Sequence, residues 1–197
     1  MTVPLRGVVF VLALLLGIGS TAYAAYIPAK AWLAQVLLEV AWARQARDGV
    51  ATRPWPWADT TPVARIAQRR LGIEQIVLEG ASGRVLAFGP GHVTGTARPG
   101  EVGNVAISAH RDTHFRWLEH LEQHDELELQ TASGGRRLYT VREASVHHES
   151  EVQLLAPGTG DQLRLITCYP FDALNPGTPW RFVVTAAPSP APRSVPR

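Results

Sequence analysis

The sequence predicts an all-β domain, a sandwich or a barrel, behind a single N-terminal helix able to span a membrane. Three observations lead there. From Thr61 onward, apolar residues come in short runs broken by Gly, Pro, Asn and Asp, the pattern of strands joined by tight turns. Within that region only Thr113–Leu121 and Glu149–Leu155 look like short helices. Ahead of it, Gly7 to Ile27 is almost wholly apolar, and about 20 apolar residues let a helix cross a bilayer core.

Residues 1–27 are read as a membrane anchor. Arg6 and the free amino end favour a cytoplasmic N-terminus, with the rest of the chain exported. Ala22-Tyr23-Ala24 resembles a signal-peptidase site, which makes a cleaved signal peptide the alternative; both readings export the domain. Residues 28–60 form a membrane-proximal segment. In it Trp32, Leu33, Val36, Leu37, Val40 and Ala43 recur at helical steps over Ala29–Ala46, either as a separate stalk or as a continuation of the anchor. Arg53-Pro54-Trp55-Pro56-Trp57 then makes a stiff linker, its indoles placed at the headgroup level or against the domain surface. Residues 61–187 hold the domain, with strands expected at Val63–Ala67, Gln75–Leu78, Arg84–Ala87, Asn104–Ala109, Glu126–Gln130, Arg137–His147, Gln162–Cys168 and Arg181–Ala186. The tail, 188–197, is rich in Pro, Ala and Ser and is expected to be disordered.

Composition narrows the function. A net charge of +2 with no dense basic run gives no footing for nucleic-acid binding. The chain has one cysteine, so no intramolecular disulfide is possible. In an oxidising compartment, a free thiol invites explanation as a reactive group.

That cysteine, Cys168, closes a strand pattern that Pro170 interrupts, since proline brings no N–H to a ladder. A residue there is held by a rigid backbone yet reachable from a loop. His110 ends the run Asn104–Ala109 in the same way, and Arg181 opens the last strand. The three types suit one another chemically. A thiolate attacks, an imidazole takes and returns the proton, and a guanidinium stabilises an oxyanion. Spacing alone does not bring them together, and a lone cysteine is more often a small core residue.

Four motifs sharpen the reading: Gly89-Pro90-Gly91-His92, Ala109-His110-Arg111-Asp112-Thr113-His114-Phe115, Thr167-Cys168-Tyr169-Pro170-Phe171 and Trp180-Arg181-Phe182. With them the chain resembles the sortases, membrane-anchored cysteine transpeptidases, and is most similar to the proteobacterial subgroup. The resemblance covers most of Pro62 to Ala187. It implies a closed eight-stranded β-barrel, catalytic roles for Cys168, His110 and Arg181, and no obligatory metal or cofactor. It also implies a client protein with a C-terminal sorting signal of the Leu-Pro-x-Thr-Gly type, an amine acceptor, and anchorage in the cytoplasmic (inner) membrane with the domain outside, periplasmic in a Gram-negative cell. Two departures stand out. Ala109 occupies a position often held by Gly, and the segment Glu149 to Asp161 is shorter than in many cell-wall sortases.

The supporting candidates are weaker. Thr167 precedes the nucleophile and is either a hydrogen-bond donor to the site or an ordinary strand threonine. Tyr169, Pro170, Phe171 and Trp180 are candidates for the wall that holds a Leu-Pro dipeptide, joined by Ala109 and by His92, the latter otherwise a solvated turn residue. Asp112 and His114 either cap the loop or orient His110. His147 and His148 are adjacent on a strand and point to opposite faces, so they do not share an ion. Glu119, Glu122, Asp125, Glu126 and Glu128 form an acidic run that is a solvated face in one reading and a calcium site in another. An exported cysteine peptidase, an L,D-transpeptidase-like enzyme and a tethered barrel that only binds a partner are the competing functions. An L,D-transpeptidase signature places Gly before its Cys, where this chain has Thr167; a papain-like order of Cys before His is reversed here.

Overall fold

The computed structural model describes residues 5–156, 160–175 and 177–190. Helix α1, Leu5–Asp48, runs unbroken with Pro28 inside it. The helical pattern at Ala29–Ala46 is therefore a continuation of the apolar helix. The chain divides into two compact units between Leu37 and Leu38. In the first, Phe10, Leu14, Leu16 and Ile18 are exposed, and α1 is long and apolar enough to cross a membrane.

The second unit is a closed barrel. Its elements are β1 Pro62–Gln68, β2 Ile73–Glu79, the single-turn α2 Gly83–Leu86, β3 Gly91–His92, β4 Asn104–Ser108, β5 Glu126–Thr131, β6 Arg136–His148, β7 Gln162–Tyr169 and β8 Trp180–Pro188. Around the barrel the order is β1-β2-β3-β4-β7-β8-β6-β5. The pairs β2–β3 and β4–β7 are parallel and the others antiparallel. Alternation sorts the side chains: Leu163, Leu165 and Thr167 of β7 point inward and are buried, while Arg164, Ile166 and Cys168 face out. The inner set packs with Ile66, Val105, Ile107, Leu127, Leu129, Tyr139 and Val184 into one core.

One strand expectation is corrected. Arg84–Ala87 is not a strand: Arg84 to Leu86 lie in α2 and Ala87 is its C-cap, the first turn being capped by the Ser82 hydroxyl accepting from the Val85 N–H. Its four residues bury only Val85, too short a run for periodicity to separate helix from strand. The eighth strand is β3, two residues in a Gly-Pro segment that reads as a turn. Gly91 is required there, because a Cβ would lie 2.2 Å from the Gly80 carbonyl oxygen. The two short helices exist only as 3-10 turns, Arg116–His120 and Val152–Leu155.

A second apolar cluster ties the last turns of α1 to the barrel. Leu38 and Trp42 pack on Ile76, Leu78 and Val85, and the Arg65 guanidinium lies 5.5 Å from the Trp42 ring centre while pairing with Glu39 at 2.5 Å. The linker indoles part company: Trp55 packs edge-on against Phe88 at 4.9 Å, whereas Trp57 is 82% exposed. Of the tail read as disordered, 188–197, Pro188 still belongs to β8 and Ser189 bonds to the barrel through Leu138 and Thr140, while residues 191–197 lie outside the described residues.

Candidate active site

The register of three neighbouring strands builds the site. Parallel pairing sets Ser108 of β4 opposite Ile166 of β7, and the Ala109 N–H donates to the Ile166 carbonyl at 3.2 Å. The Thr167 hydroxyl, buried, donates to the Ala109 carbonyl at 2.7 Å, so the pairing persists one residue beyond β4. His110 is the next residue along the chain, after which the backbone turns. On the other side Cys168 stands directly opposite Arg181 of β8, and Arg181 opposite His147 of β6. Directly opposed residues share a face. Cys168, Arg181 and His147 therefore form one row on the outer face, with adjacent strands about 4.7–4.9 Å apart, and His110 follows β4, the strand on the other side of β7. Cys168 is partly exposed and His110 exposed.

The surroundings hold this row. Arg181 donates through Nη1 to the Thr178 and Trp180 carbonyls at 2.6 and 2.9 Å, and through Nη2 to Glu149 at 2.5 Å. His147 is bracketed by the Ser145 hydroxyl and the Glu151 carboxylate, each at 2.9 Å, and that hydrogen bond holds Glu151 below the usual carboxylate range. His114, on the loop after His110, has its imidazole pushed below the ordinary histidine value, first by burial and then by the charge of His110. Asp112 reaches Arg111 at 3.1 Å.

Arg111 is the residue that sequence reasoning passed over. Only 4% exposed, it reaches from the β4 side to the segment following Cys168, donating to the carbonyls of Pro170, Ala173 and Asn175 at 2.8, 2.7 and 3.1 Å. Arg116 adds a bond to the Phe171 carbonyl at 2.8 Å. A buried guanidinium thus fixes the loop behind the thiol to the loop carrying the imidazole. Its place beside His110 in the motif was the available signal, but nothing in the sequence names the three carbonyls.

The wall candidates separate into two groups. Tyr169, Phe171 and Phe182 gather with ring centres 5.1–6.3 Å apart, and Phe171 and Phe182 pack against the core. Trp180 is half exposed, edge-on to the His148 ring at 5.4 Å, and Leu174 is 99% exposed. His92 lies elsewhere. It is buried on β3 opposite Ile107, itself level with Leu165, three residues or roughly 10 Å along the strand from Cys168. Its Nε2 is engaged by the Ala97 carbonyl at 2.9 Å and the Thr96 hydroxyl at 3.1 Å.

The acidic run is threaded with arginine: Arg116 pairs with Glu119, Arg70 with Glu122 and Asp125, and Arg69 and Arg136 with Glu128. Arg70 holds the Asp125 carboxyl below its usual range. Among the described residues no His, Cys, Asp and Glu side chains gather into a metal-binding group.

Comparison with known proteins agrees with this architecture. The sortase-domain family model matches residues 66–189. Sortase D of Bacillus subtilis (strain 168) is 30% identical over 115 residues, 58% of each chain. Sortase A from Corynebacterium diphtheriae superposes with a TM-score of 0.61 at 27% identity, over 70% of this chain and 65% of that one. The chain thus spans less than two thirds of either relative's length. A Clostridium perfringens sortase D5 transpeptidase shares the fold, with a TM-score of 0.64 at 22% identity over 80% of this chain and 99% of that one. An eight-stranded closed barrel and a matched domain covering most of the barrel place this chain in the sortase family.

Proposed function

We propose that the chain is a membrane-anchored cysteine transpeptidase in which Cys168 is the nucleophile, His110 the acid–base and Arg181 the oxyanion donor. The observation that carries this reading is the strand order itself, with Cys168 between Arg181 opposite it on β8 and His110 on the extension of β4. The Cys168 thiolate attacks the carbonyl carbon after the Thr, or its equivalent, of a Leu-Pro-x-Thr-Gly-type sorting signal, and the π electrons move to oxygen. Arg181 meets that oxyanion with N–H donors. The intermediate collapses, the C–N bond breaks, and His110 delivers a proton to the departing amine. A thioacyl enzyme remains. An incoming amine then attacks it, His110 takes the amine proton, and the thiolate is released as the new amide forms.

The exposed Trp180 and Leu174, with Tyr169, Pro170 and Phe171 behind them, are offered as the wall for the apolar part of the signal. Ala109 and Thr167 act beneath, through the hydrogen bond that fixes the His110 strand end. The placement of His92 supports a structural role in the β3–β4 connection. No step in this scheme needs a cofactor, and the arginine pairing of the acidic run supports a solvated ion-pair face over a calcium site. The long apolar α1 supports anchorage in the cytoplasmic membrane with the barrel exported, periplasmic in a Gram-negative cell.

Mass spectrometry of the full chain with Leu-Pro-x-Thr-Gly-class peptides tests the proposal. A thioacyl adduct on Cys168, absent in Cys168→Ala, is expected. A Cys168 that stays unlabelled by methanethiosulfonate reagents in the native protein would instead favour a barrel that only binds a partner.

A further inference from the structure

We propose that Arg111 is a positioning residue for His110 and Cys168, one of two cross-links that bracket them; the inference rests on the reading of this histidine as the acid–base for this thiol. Backbone pairing of β4 with β7 ends just short of both residues, at the bond from the Ala109 N–H to the Ile166 carbonyl. Beyond it, among the described residues, hydrogen bonds from side chains alone join the chain around His110 to the chain around Cys168. On the N-terminal side of both, the Thr167 hydroxyl donates to the Ala109 carbonyl at 2.7 Å. On the C-terminal side, the Arg111 guanidinium donates to the Pro170 carbonyl at 2.8 Å. The residue before His110 is thus tied to the residue before Cys168, and the residue after His110 to the second residue after Cys168.

The second cross-link needs an arginine. Nη1 donates to Pro170, Nη2 to both Ala173 and Asn175, and Nε to the Asp112 carboxylate, so every nitrogen of the planar fork is engaged. A lysine ammonium, a point charge on a flexible stem, does not reproduce that fork. The turn carrying the imidazole is closed on itself by the Phe115 N–H, which donates to the His110 carbonyl at 3.0 Å. Arg111 lies inside that turn, and holding it holds the turn. Arg116 reaches only Phe171, farther from both residues, and its side chain is half exposed. Without Arg111, Thr167 is the one bond left next to the pair. A single point of attachment lets the two chain ends pivot about it.

Two readouts on the full chain test this. The first needs no catalysis. In a His110→Cys chain, equilibration with glutathione and its disulfide gives the effective concentration of the new thiol at Cys168, since a disulfide forms only where the two backbones lie close. Adding Arg111→Met is expected to lower that value about tenfold or more, and Arg111→Lys to give an intermediate one. Leu38→Ala, which loosens the α1–β2 contact instead, should leave it within about twofold, separating position from general stability. The second is the rate of thioacyl formation at saturating peptide with His110 in place. Arg111→Met should lower it about tenfold or more, yet add less than about twofold to the loss in His110→Ala. The inference is overturned if the His110→Cys chain forms no disulfide, if Arg111→Met leaves the effective concentration unchanged or Leu38→Ala lowers it equally, or if the two losses in rate multiply. Should Arg111→Met not fold, Arg111→Lys decides by the same comparisons. If the native chain forms no thioacyl adduct, the catalytic reading falls, and the effective concentration alone still decides whether Arg111 holds the two positions together.

Discussion

Replacing Arg111 with methionine keeps much of the side-chain volume and removes the guanidinium that bonds to the Pro170, Ala173 and Asn175 carbonyls. Hydrogen bonds to a charged group contribute about 1.5–3 kcal/mol each. Three of them do not add to that full sum. The loop carbonyls regain water when released, and Arg111 no longer bears the cost of burying a charge at 4% exposure. A net loss of about 2–4 kcal/mol follows, which for a chain of this size lowers Tm by roughly 5–15 °C. The loop should also be freed locally before the barrel unfolds, since among the described residues its remaining side-chain hydrogen bond to the β4 side is Arg116 on Phe171. Thermal unfolding and limited proteolysis measure the two effects. Arg111→Met should melt lower and be cut between Phe171 and Asn175 under conditions where the native chain is intact, with Arg111→Lys between the two. If Arg111→Met melts within about 1 °C of the native chain and its loop resists cleavage equally, the clamp is not what holds this loop.

Three further outcomes follow from the same geometry. Thr167→Val removes the buried hydroxyl bond to Ala109 and leaves that carbonyl short of a donor, costing about 1–3 kcal/mol by denaturant titration and lowering peptide turnover more than it lowers Cys168 labelling. Leu38→Ala empties a site 1% exposed between α1 and β2, and should cost about 2–5 kcal/mol in barrel stability. For His114 the folded-state pKa lies below the unfolded one, so the unfolded chain binds the proton more readily. The stability it confers is whole above about pH 6.5 and is lost as the pH falls through the lowered folded value; Tm measured at pH 7.5 and 5.5 should differ less in His114→Gln than in the native chain.

How much of the site the residues announced differs from one to the next. Cys168, His110 and Arg181 could be named because each sits where a strand pattern meets a breaker, and because their chemistry is complementary. That Cys168 and Arg181 stand level could not. Register depends on which strands become neighbours, and β4 meets β7 only through a parallel pairing across more than fifty residues of chain. Glu149 and Arg111 escaped for the same reason: a carboxylate or guanidinium looks alike in sequence whether it faces water or a specific partner, here Arg181 for the one and three loop carbonyls for the other. The Arg84–Ala87 reading failed because four residues carry too little periodicity. His92, which reads as a turn residue, is buried because β3 needs only two residues to bridge β2 and β4.

By itself the sequence determined the alternation that sends Leu163, Leu165 and Thr167 inward and Cys168 outward, the apolar span before the barrel, and the single thiol available for chemistry. Those are local properties, set by the period of a strand and the polarity of each side chain. Closure of the sheet, the pairing of β7 with both β4 and β8, and the arginine-held loop were decided only in three dimensions. Hydrogen-bond partners far apart along the chain are chosen by the whole packed barrel, and no short stretch carries that choice.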